Sequence, residues 1–319
     1  MRAPEIGAPP AELYRAALEM AEWGEANGCL AVQVSEHHGS SDGYLPAPLV
    51  MAAAIAGRTR RVPIQVAALI LPLHDPIELA EQIAVLDHVS GSRVSYVLGL
   101  GYREQEYAAR GFEFSARGKR MDACLEALQQ AFRGEPFAFQ GRPVRVLPRP
   151  ASPNGPLLLM GGSSPAAVRR AARFGLGMLT QGGDPSLAEL YRAECALHGR
   201  APGLFLSPPA DTVTSAFVAE DPDRAWQQLG PHLLHDARMY AAWLGAAGAV
   251  SKSSATTVAE LRAEQGPYRI FTPEEAVQHV RRNGVLLMQP LCGGISPALA
   301  WEHLELVARR VLPGLKNPS

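Results

Sequence analysis

The sequence predicts an α/β protein, a (β/α)8 TIM barrel. Short apolar runs alternate along the chain with longer amphipathic segments rich in Ala, Leu, Glu and Arg. The short runs are continuously apolar, which is typical of parallel strands covered on both faces. A chain of 319 residues with this many βα units favours a barrel. A doubly wound parallel sheet is the alternative.

The elements follow from local pattern. Leu13, Ala17 and Met20 recur at helical spacing, and Asn27-Gly28 supplies a stop, so a helix is expected at residues 10–27. The predicted strands are residues 29–35, 62–71, 94–98, 157–160, 176–180, 213–218 and 285–289. Further helices are predicted near residues 47–59, 76–89, 117–133, 165–174, 185–198, 222–244, 273–282 and 297–311.

Three stretches depart from the regular βα rhythm. No strand is predicted before residue 10, so the first barrel strand is expected to be absent or truncated. Residues 137–146, with Gln140-Gly141 between two apolar pieces, predict an inserted hairpin. Residues 245–266, rich in Ala, Ser and Gly, predict a long mobile connection before the last strand and a candidate lid. We expect one barrel domain over residues 1–319.

Composition excludes several classes of function. With 30 basic and 31 acidic residues the net charge is -1, which favours neither nucleic acid nor an anionic membrane as partner. There is no apolar run of about 18 residues and no signal-peptide pattern, so a cytoplasmic protein is expected. The four cysteines form no C-x-x-C pair. His232, His235 and Asp236 share a helix face but match no metal-ligand motif, so no metal is predicted.

Two familiar motifs occur in the wrong context. Residues 39–43 match G-x-S-x-G, which would make Ser41 a hydrolase nucleophile. Two prolines follow where the required helix would run, so a Gly/Ser loop is the preferred interpretation. Residues 99–104 begin like a dinucleotide fingerprint but have Glu104 in place of the third glycine.

The segment Glu36-His37-His38 stands at the C-terminal end of a predicted strand, where barrel enzymes assemble their active sites. A histidine titrates near neutral pH and can donate or accept a proton there. A structural histidine that caps a helix or packs in the core is the alternative.

A series of short motifs extends from this segment along nearly the whole chain. It comprises Arg58-Thr59-Arg60-Arg61, Val66-Ala67-Ala68-Leu69-Ile70-Leu71-Pro72, His74-Asp75-Pro76, Ala80-Glu81, Leu86-Asp87, Ser90-Gly91-Ser92-Arg93, Gly99-Leu100-Gly101-Tyr102, Glu106, Gly111-Phe112, Gly161-Gly162-Ser163-Ser164-Pro165 and Pro290-Leu291-Cys292-Gly293-Gly294. In order and spacing this series resembles the bacterial luciferase-like flavin monooxygenase family.

The resemblance implies a (β/α)8 barrel that binds reduced FMN, or F420 in a sister branch, at its C-terminal face. Glu36-His37-His38 is similar to the family's E-H-H, which implies that His37 is catalytic and that Glu36 belongs to the cofactor site. Ala67-Ala68 matches the small pair under the flavin ring, where a non-prolyl cis peptide is usual.

Glycine-rich turns are implied to hold the rest of the cofactor. Gly99 and Gly101 match the turn near the flavin side chain and phosphate. Luciferase itself has an arginine in place of Gly99, so backbone donors must compensate here. Gly161-Gly162-Ser163-Ser164 precedes a predicted helix and is expected to cradle the phosphate. A plain serine N-cap is the alternative. Weaker candidates, for the substrate pocket, are Tyr44, His38, Tyr240 and Trp243, which are otherwise core residues.

The resemblance implies a two-component monooxygenase that uses FMNH2 and O2 to oxygenate a small organic substrate through a C4a-peroxyflavin. A separate NAD(P)H-dependent flavin reductase is the expected partner, and a homodimer is expected because dimers are common in the family. The alternatives are an F420-dependent dehydrogenase or reductase on the same fold, a flavin-binding protein without turnover, and a hydrolase built on Ser41.

Overall fold

Helices and strands alternate along the computed structural model, which describes residues 2–182, 184–245 and 249–316. The helices are α1 (Pro10–Ala26), α2 (Pro48–Arg58), α3 (Pro76–Ser90), α4 (Glu104–Ala108), α5 (Arg117–Ala131), α6 (Pro165–Phe174), α7 (Pro185–Leu197), α8 (Pro222–Leu244), α9 (Val258–Ala263), α10 (Pro273–Asn283), α11 (Pro297–Leu306) and α12 (Leu312–Lys316). The strands are β1 (Val32–Val34), β2 (Ile64–Ile70), β3 (Val94–Gly99), β4 (Phe137–Phe139), β5 (Arg142–Val144), β6 (Leu158–Gly161), β7 (Gly177–Leu179), β8 (Phe205–Leu206), β9 (Ser215–Val218) and β10 (Tyr268–Phe271).

Six strands form one parallel sheet in the order β1-β2-β3-β6-β7-β8. Val66 pairs with Tyr96, and Tyr96 pairs in turn with Leu158. The side chains of Val66, Tyr96 and Leu159 are buried, as expected for strands covered on both faces. Because every pair is parallel, the C-terminal ends of all six strands lie along one edge. This is the predicted α/β class with a parallel central sheet.

The chain divides into two compact units. The sheet unit comprises Leu18–Gly39 and Leu45–Ser207 and contains the six-stranded sheet. The second unit comprises the chain up to Ala17, the loop Ser40–Tyr44 and the chain from Pro208 onward. In it β9 and β10 form a parallel pair, packed with α8, α10 and α11.

Most predicted elements are confirmed with shifted bounds, and the inserted hairpin is confirmed as the antiparallel pair β4-β5. Gln140 and Gly141 have φ of 49° and 76°, the left-handed conformation that a two-residue hairpin turn needs. No strand lies between residues 2 and 9, as predicted.

One predicted strand was wrong. Residues 285–289 are not a strand, because only Met288 makes an isolated bridge, to Ala216. The segment 245–266, predicted as a mobile connection and candidate lid, contains the unpredicted helix α9 in its described part, and residues 246–248 lie outside the described residues. Its mobility stays a prediction. Thr257 caps this helix by accepting a hydrogen bond from the Glu260 N–H. This helix was not predicted because its six residues are too few to show helical periodicity and its surroundings are rich in Ala and Ser.

Strands β8 and β10 were not predicted. The two residues of β8 are too few to give a pattern, and they are ordered by pairing with β7. No helix in the described ranges combines the length and apolarity needed to cross a lipid bilayer.

Candidate active site

The candidate site lies at the C-terminal edge of the six-stranded sheet. The chain leaves β1 at Val34 and reaches Glu36, His37 and His38 within a few residues. The neighbouring strands β2 and β3 end at Ile70 and Gly99 along the same edge. The predicted catalytic segment therefore stands where parallel α/β proteins place their sites.

Glu36 is a buried carboxylate with several hydrogen-bond donors around it. Its Oε1 accepts from Nε2 of His38 at 2.6 Å and from Nε2 of His74 at 2.8 Å. Its Oε2 accepts from the backbone N–H of Ile70 at 2.7 Å. Burial by itself raises the pKa of Glu36, but these hydrogen bonds outweigh it and lower the pKa to about 2. Glu36 therefore joins three segments of the site edge as a fixed anion.

His37 is held at both ring nitrogens. Its Nδ1 lies 3.1 Å from Oε1 of Glu106, and its Nε2 lies 3.1 Å from the Tyr102 hydroxyl. The imidazole is only 7% exposed, whereas Tyr102 is half-buried. The predicted catalytic histidine is therefore at the site edge and bonded between a carboxylate and a phenol.

Glu106 has a strongly biased environment. Its Oε1 also accepts from the His38 N–H at 2.9 Å and from the Arg103 guanidinium at 2.8 Å. Its Oε2 is buried and has no hydrogen-bond partner within the described residues. Burial raises the pKa of Glu106, but hydrogen bonds from His37 and His38 and the charge of Arg103 lower it overall. An ionised Glu106 faces Nδ1 of His37.

No role was predicted for Tyr102, Arg103, Glu106 or His74. Tyr102, Glu106 and His74 occur in the quoted motifs. However, nothing local indicates that Tyr102 and Glu106 reach a histidine 65 and 69 positions away, or that His74 reaches Glu36. Other residues in the same motifs are structural. Arg93, for example, donates to the carbonyls of Val62 and Ala56 and so ties the end of α2 to the strand that follows.

The peptide bond between Ala67 and Ala68 is cis, as the resemblance implied. A Cβ added at Gly99 would lie 2.9 Å from the Cβ of Ala68, so Gly99 must remain a glycine where β2 and β3 meet. An arginine at this position would displace Ala68. Gly101 has φ of 75°, and an added Cβ would lie 2.8 Å from Ile70. These residues therefore form a surface of backbone and small side chains.

The turn after β6 leads directly into α6. Gly162 has φ of 137°, a conformation open to glycine, and Ser164 caps α6 by accepting from the Ala167 N–H at 3.2 Å. Ser163 Oγ accepts from the Gln181 N–H at 2.7 Å. Within the described residues neither hydroxyl donates a hydrogen bond, so both can donate to a ligand beside the N-terminus of this ten-residue helix. The N-cap alternative is thus present and is compatible with an anion site.

Tyr44, Tyr240 and Trp243, the weak candidates for the substrate pocket, surround the chain's own Arg2. The guanidinium of Arg2 lies 4.6, 4.9 and 4.3 Å from the three ring centroids. The Tyr44 and Tyr240 hydroxyls are 2.9 Å apart. In this arrangement the rings contact an arginine of the same unit.

The helix-face residues His232, His235 and Asp236 do not converge on one point. Nδ1 of His232 bonds the Gly293 carbonyl, whereas Nε2 of His235 donates to Asp42. Asp236 accepts from Arg2 and from the Tyr268 hydroxyl. Within the described residues no group of three or more His, Cys, Asp or Glu is arranged to hold a metal ion.

Comparison with known proteins identifies the family and the fold of the chain. A family model described as luciferase-like monooxygenase matches residues 2–278. The 4-hydroxyprotoasukamycin monooxygenase of Streptomyces nodosus subsp. asukaensis is 29% identical over 175 residues, which cover 53% of this chain and 47% of that protein. The chain thus spans about half the length of the curated relatives it matches.

Solved structures extend the likeness over almost the whole chain. Monooxygenase RslO1 from Streptomyces bottropensis gives a TM-score of 0.75 at 22% identity and 96% coverage of both chains. The oxygenating constituent of 3,6-diketocamphane monooxygenase from Pseudomonas putida, solved with FMN, gives 0.68 at 17% identity, covering 98% of this chain and 96% of that one.

An F420-dependent secondary alcohol dehydrogenase, solved with an F420-acetone adduct, gives a TM-score of 0.66 at 15% identity, covering 95% of this chain and 96% of that one. These likenesses confirm the predicted fold class, that of the luciferase-like TIM barrels.

Proposed function

The chain belongs to the luciferase-like monooxygenase family, and we propose that it is a flavin-dependent monooxygenase that uses reduced FMN and O2 to oxygenate a small organic substrate. The observation that carries this proposal is the placement of His37 between Glu106 and Tyr102 at the C-terminal edge of the sheet. The sequence has no nicotinamide fingerprint, so we propose that a separate NAD(P)H-dependent reductase supplies the FMNH2.

The residues at the site edge fit FMN in two places. Ala68 and Gly99 give a flat, small surface suited to a ring, and no side chain could grow from Gly99 without moving Ala68. The Gly162–Ser164 turn offers serine hydroxyls and the N-terminus of α6 to a phosphate. The strands that carry these places, β2, β3 and β6, are adjacent. At about 4.8 Å per strand, they lie close enough for one ligand to contact both.

When bound, reduced FMN supplies the electrons that activate O2. The chain's own part is to orient the reactants and to move protons. The Glu106 carboxylate holds the His37 ring in one orientation, as a carboxylate does for a catalytic histidine elsewhere. Glu36 holds the backbone of Ile70 and the side chain of His38 in place through hydrogen bonds. These contacts keep the proton-transfer group in place before the reactants arrive.

Anaerobic titration tests the cofactor. We expect the purified protein to bind FMNH2 more tightly than reduced F420, followed by absorbance, and to consume O2 on mixing. In the presence of an aldehyde or cyclic ketone panel supplied with 18O2, mass spectrometry should find one labelled oxygen atom in a product. Absence of FMNH2 binding contradicts the proposal.

His37→Asn tests catalysis. We expect turnover to fall by about 100-fold or more, which is the usual worth of a proton-transfer group, with FMNH2 affinity retained. His198→Asn is the matched control, since His198 is exposed at the far end of α7. Unchanged turnover in His37→Asn would instead favour a flavin-binding protein without catalysis.

An F420-dependent dehydrogenase is the second candidate, and the structural likeness to the F420-dependent alcohol dehydrogenase favours it. The His37–Glu106 pair could serve as the base that accepts an alcohol proton. Preference for F420 in the titration, with reduction of F420 by 2-propanol and no O2 consumption, would select this function.

A further inference from the structure

The hydrogen bonds around His37 form a network that is buried at Glu106 and more exposed at Tyr102. Glu106 Oε1, His37 and Tyr102 are joined in that order by contacts of 3.1 Å each. Glu106 and His37 are buried, whereas Tyr102 is half-buried. Tyr102 is therefore the most exposed of the three residues.

The charge of Glu106 sets the direction of the first hydrogen bond, and a neutral His37 ring then sets the direction of the second. The pKa of Glu106 is lowered, so its carboxylate is ionised at neutral pH and can only accept. Nδ1 of His37 must then carry the hydrogen that lies between them. In a neutral imidazole Nε2 is consequently bare and accepts, so the Tyr102 hydroxyl donates to it.

Both ring nitrogens of His37 are thus occupied by protein groups. A direct proton transfer between His37 and a reactant would require the Tyr102 hydrogen bond to break first. Two further charged or titratable groups lie next to this network within the described residues: Arg103, which donates to Glu106, and His38, whose ring donates to Glu36. Neither lies between His37 and Tyr102.

We propose that the Tyr102 hydroxyl is the group that exchanges a proton with the reacting oxygen atom, and that His37 and Glu106 act behind it as a relay. This inference rests on the proposed function. When a reactant O–H bond breaks, its proton passes to Tyr102 Oη while the phenolic proton passes to His37 Nε2. The imidazolium so formed stays paired with the Glu106 carboxylate. The reverse sequence delivers one proton to an oxyanion, so the protons balance in both directions.

The first test needs no cofactor. In protein labelled with 15N-histidine, one of the nine histidines, assigned with His37→Asn, should show a protonated Nδ1 and a bare, hydrogen-bonded Nε2 at neutral pH. Tyr102→Phe should move the Nε2 resonance and leave Nδ1 protonated. Glu106→Gln should remove the preference for this tautomer. A protonated Nε2 in the wild type overturns the relay, whether or not the protein binds flavin.

The second test uses FMNH2 and O2 as probes, measuring formation of oxidised FMN and H2O2 against pH. We expect Tyr102→Phe to lower this rate by about 100-fold, with FMNH2 affinity within about twofold of wild type. Incorporating 3-fluorotyrosine at position 102, which lowers the phenol pKa, should restore activity and shift the pH profile to lower pH.

Tyr191 provides the matched control, since its buried hydroxyl donates to the Leu176 carbonyl. Fluorination there should leave the profile in place. If Tyr102→Phe keeps the wild-type rate and pH profile, Tyr102 only packs against His37 and the inference fails. Loss of FMNH2 binding by the wild type would contradict the proposed function instead, and the NMR test would still decide the relay.

Discussion

Glu36 shows how much a single buried side chain can do in this protein. Three donors converge on its carboxylate from β2, from the turn after it and from His38. The anion is stable because each oxygen is hydrogen-bonded in a place from which water is largely absent. These hydrogen bonds therefore offset the free-energy cost of burying the charge, and they hold three segments of the site edge in place.

The pH dependence of stability should report this carboxylate. The folded-state pKa of Glu36 is about 2, below the ordinary 4.5, so its ionised form stabilises the fold above pH 4.5. This contribution, on the order of 3 kcal/mol, should be lost as pH falls from 4.5 towards 2. In Glu36→Gln the free energy of unfolding in urea should be lower at neutral pH and should decline less over that range.

Glu126→Gln, at an exposed position on α5, is the control and should leave the pH dependence as in wild type. Parallel curves for Glu36→Gln and wild type between pH 2 and 4.5 would show that Glu36 does not titrate as proposed.

Ser164, at the start of helix α6, can both cap the helix and bind an anion. Ser164 satisfies an N–H at the start of the helix, and its hydroxyl proton can be donated to an anion. Ser296 begins α11 with the same Ser-Pro pair and the same side-chain cap, but belongs to the second unit. Comparing Ser164 with Ser296 therefore distinguishes helix capping from anion binding.

Ser164→Ala and Ser296→Ala should each lower the free energy of unfolding by about 1 kcal/mol. Only Ser164→Ala should weaken FMNH2 binding, by about 10-fold, because one hydrogen bond to a charged phosphate is lost. Reduced riboflavin, which has no phosphate, should bind Ser164→Ala as it binds wild type. Equal losses of affinity for FMNH2 and for reduced riboflavin, measured by anaerobic titration, would show that the phosphate does not bind at this turn.

Arg2 is the largest fully buried charged side chain among the described residues, and it connects separate segments of the second unit. It forms ion pairs with Asp42 and Asp236 and lies against three aromatic rings. The backbone N–H of Ala3 also donates to the Asp42 carbonyl. A segment without regular structure is thus tied to α8 and to the loop Ser40–Tyr44.

Arg2→Met should destabilise the fold by about 3–5 kcal/mol, because two buried carboxylates lose their partner. Urea unfolding followed by tryptophan fluorescence measures the loss, and Trp243 is a reporter next to the substitution. Arg58→Met is the control, since the Arg58–Glu22 pair is exposed and should contribute less than about 1 kcal/mol. Equal stability of both variants would contradict this role of Arg2.

The expected homodimer stays a prediction, which sedimentation analysis can test.

Most of the helices and strands, and the inserted hairpin, could be predicted from the sequence, because they depend on local periodicity and turn chemistry. Gln140-Gly141, for example, specifies its turn without help from the rest of the chain. The position of His37 just after a strand also follows from the local pattern. The cis bond between Ala67 and Ala68 was instead expected from the resemblance to the family, since no pattern of neighbouring residues predicts it.

Contacts between residues far apart in the sequence could not be predicted and became visible only in the folded protein. The pairing of β10 with β9, the reduction of residues 285–289 to one bridge and the enclosure of Arg2 all depend on distant partners. The same holds for Tyr102 and Glu106 at the two nitrogens of His37. Hydrogen bonds between residues 65 or more positions apart leave no periodic pattern in the sequence, because folding alone brings their atoms together.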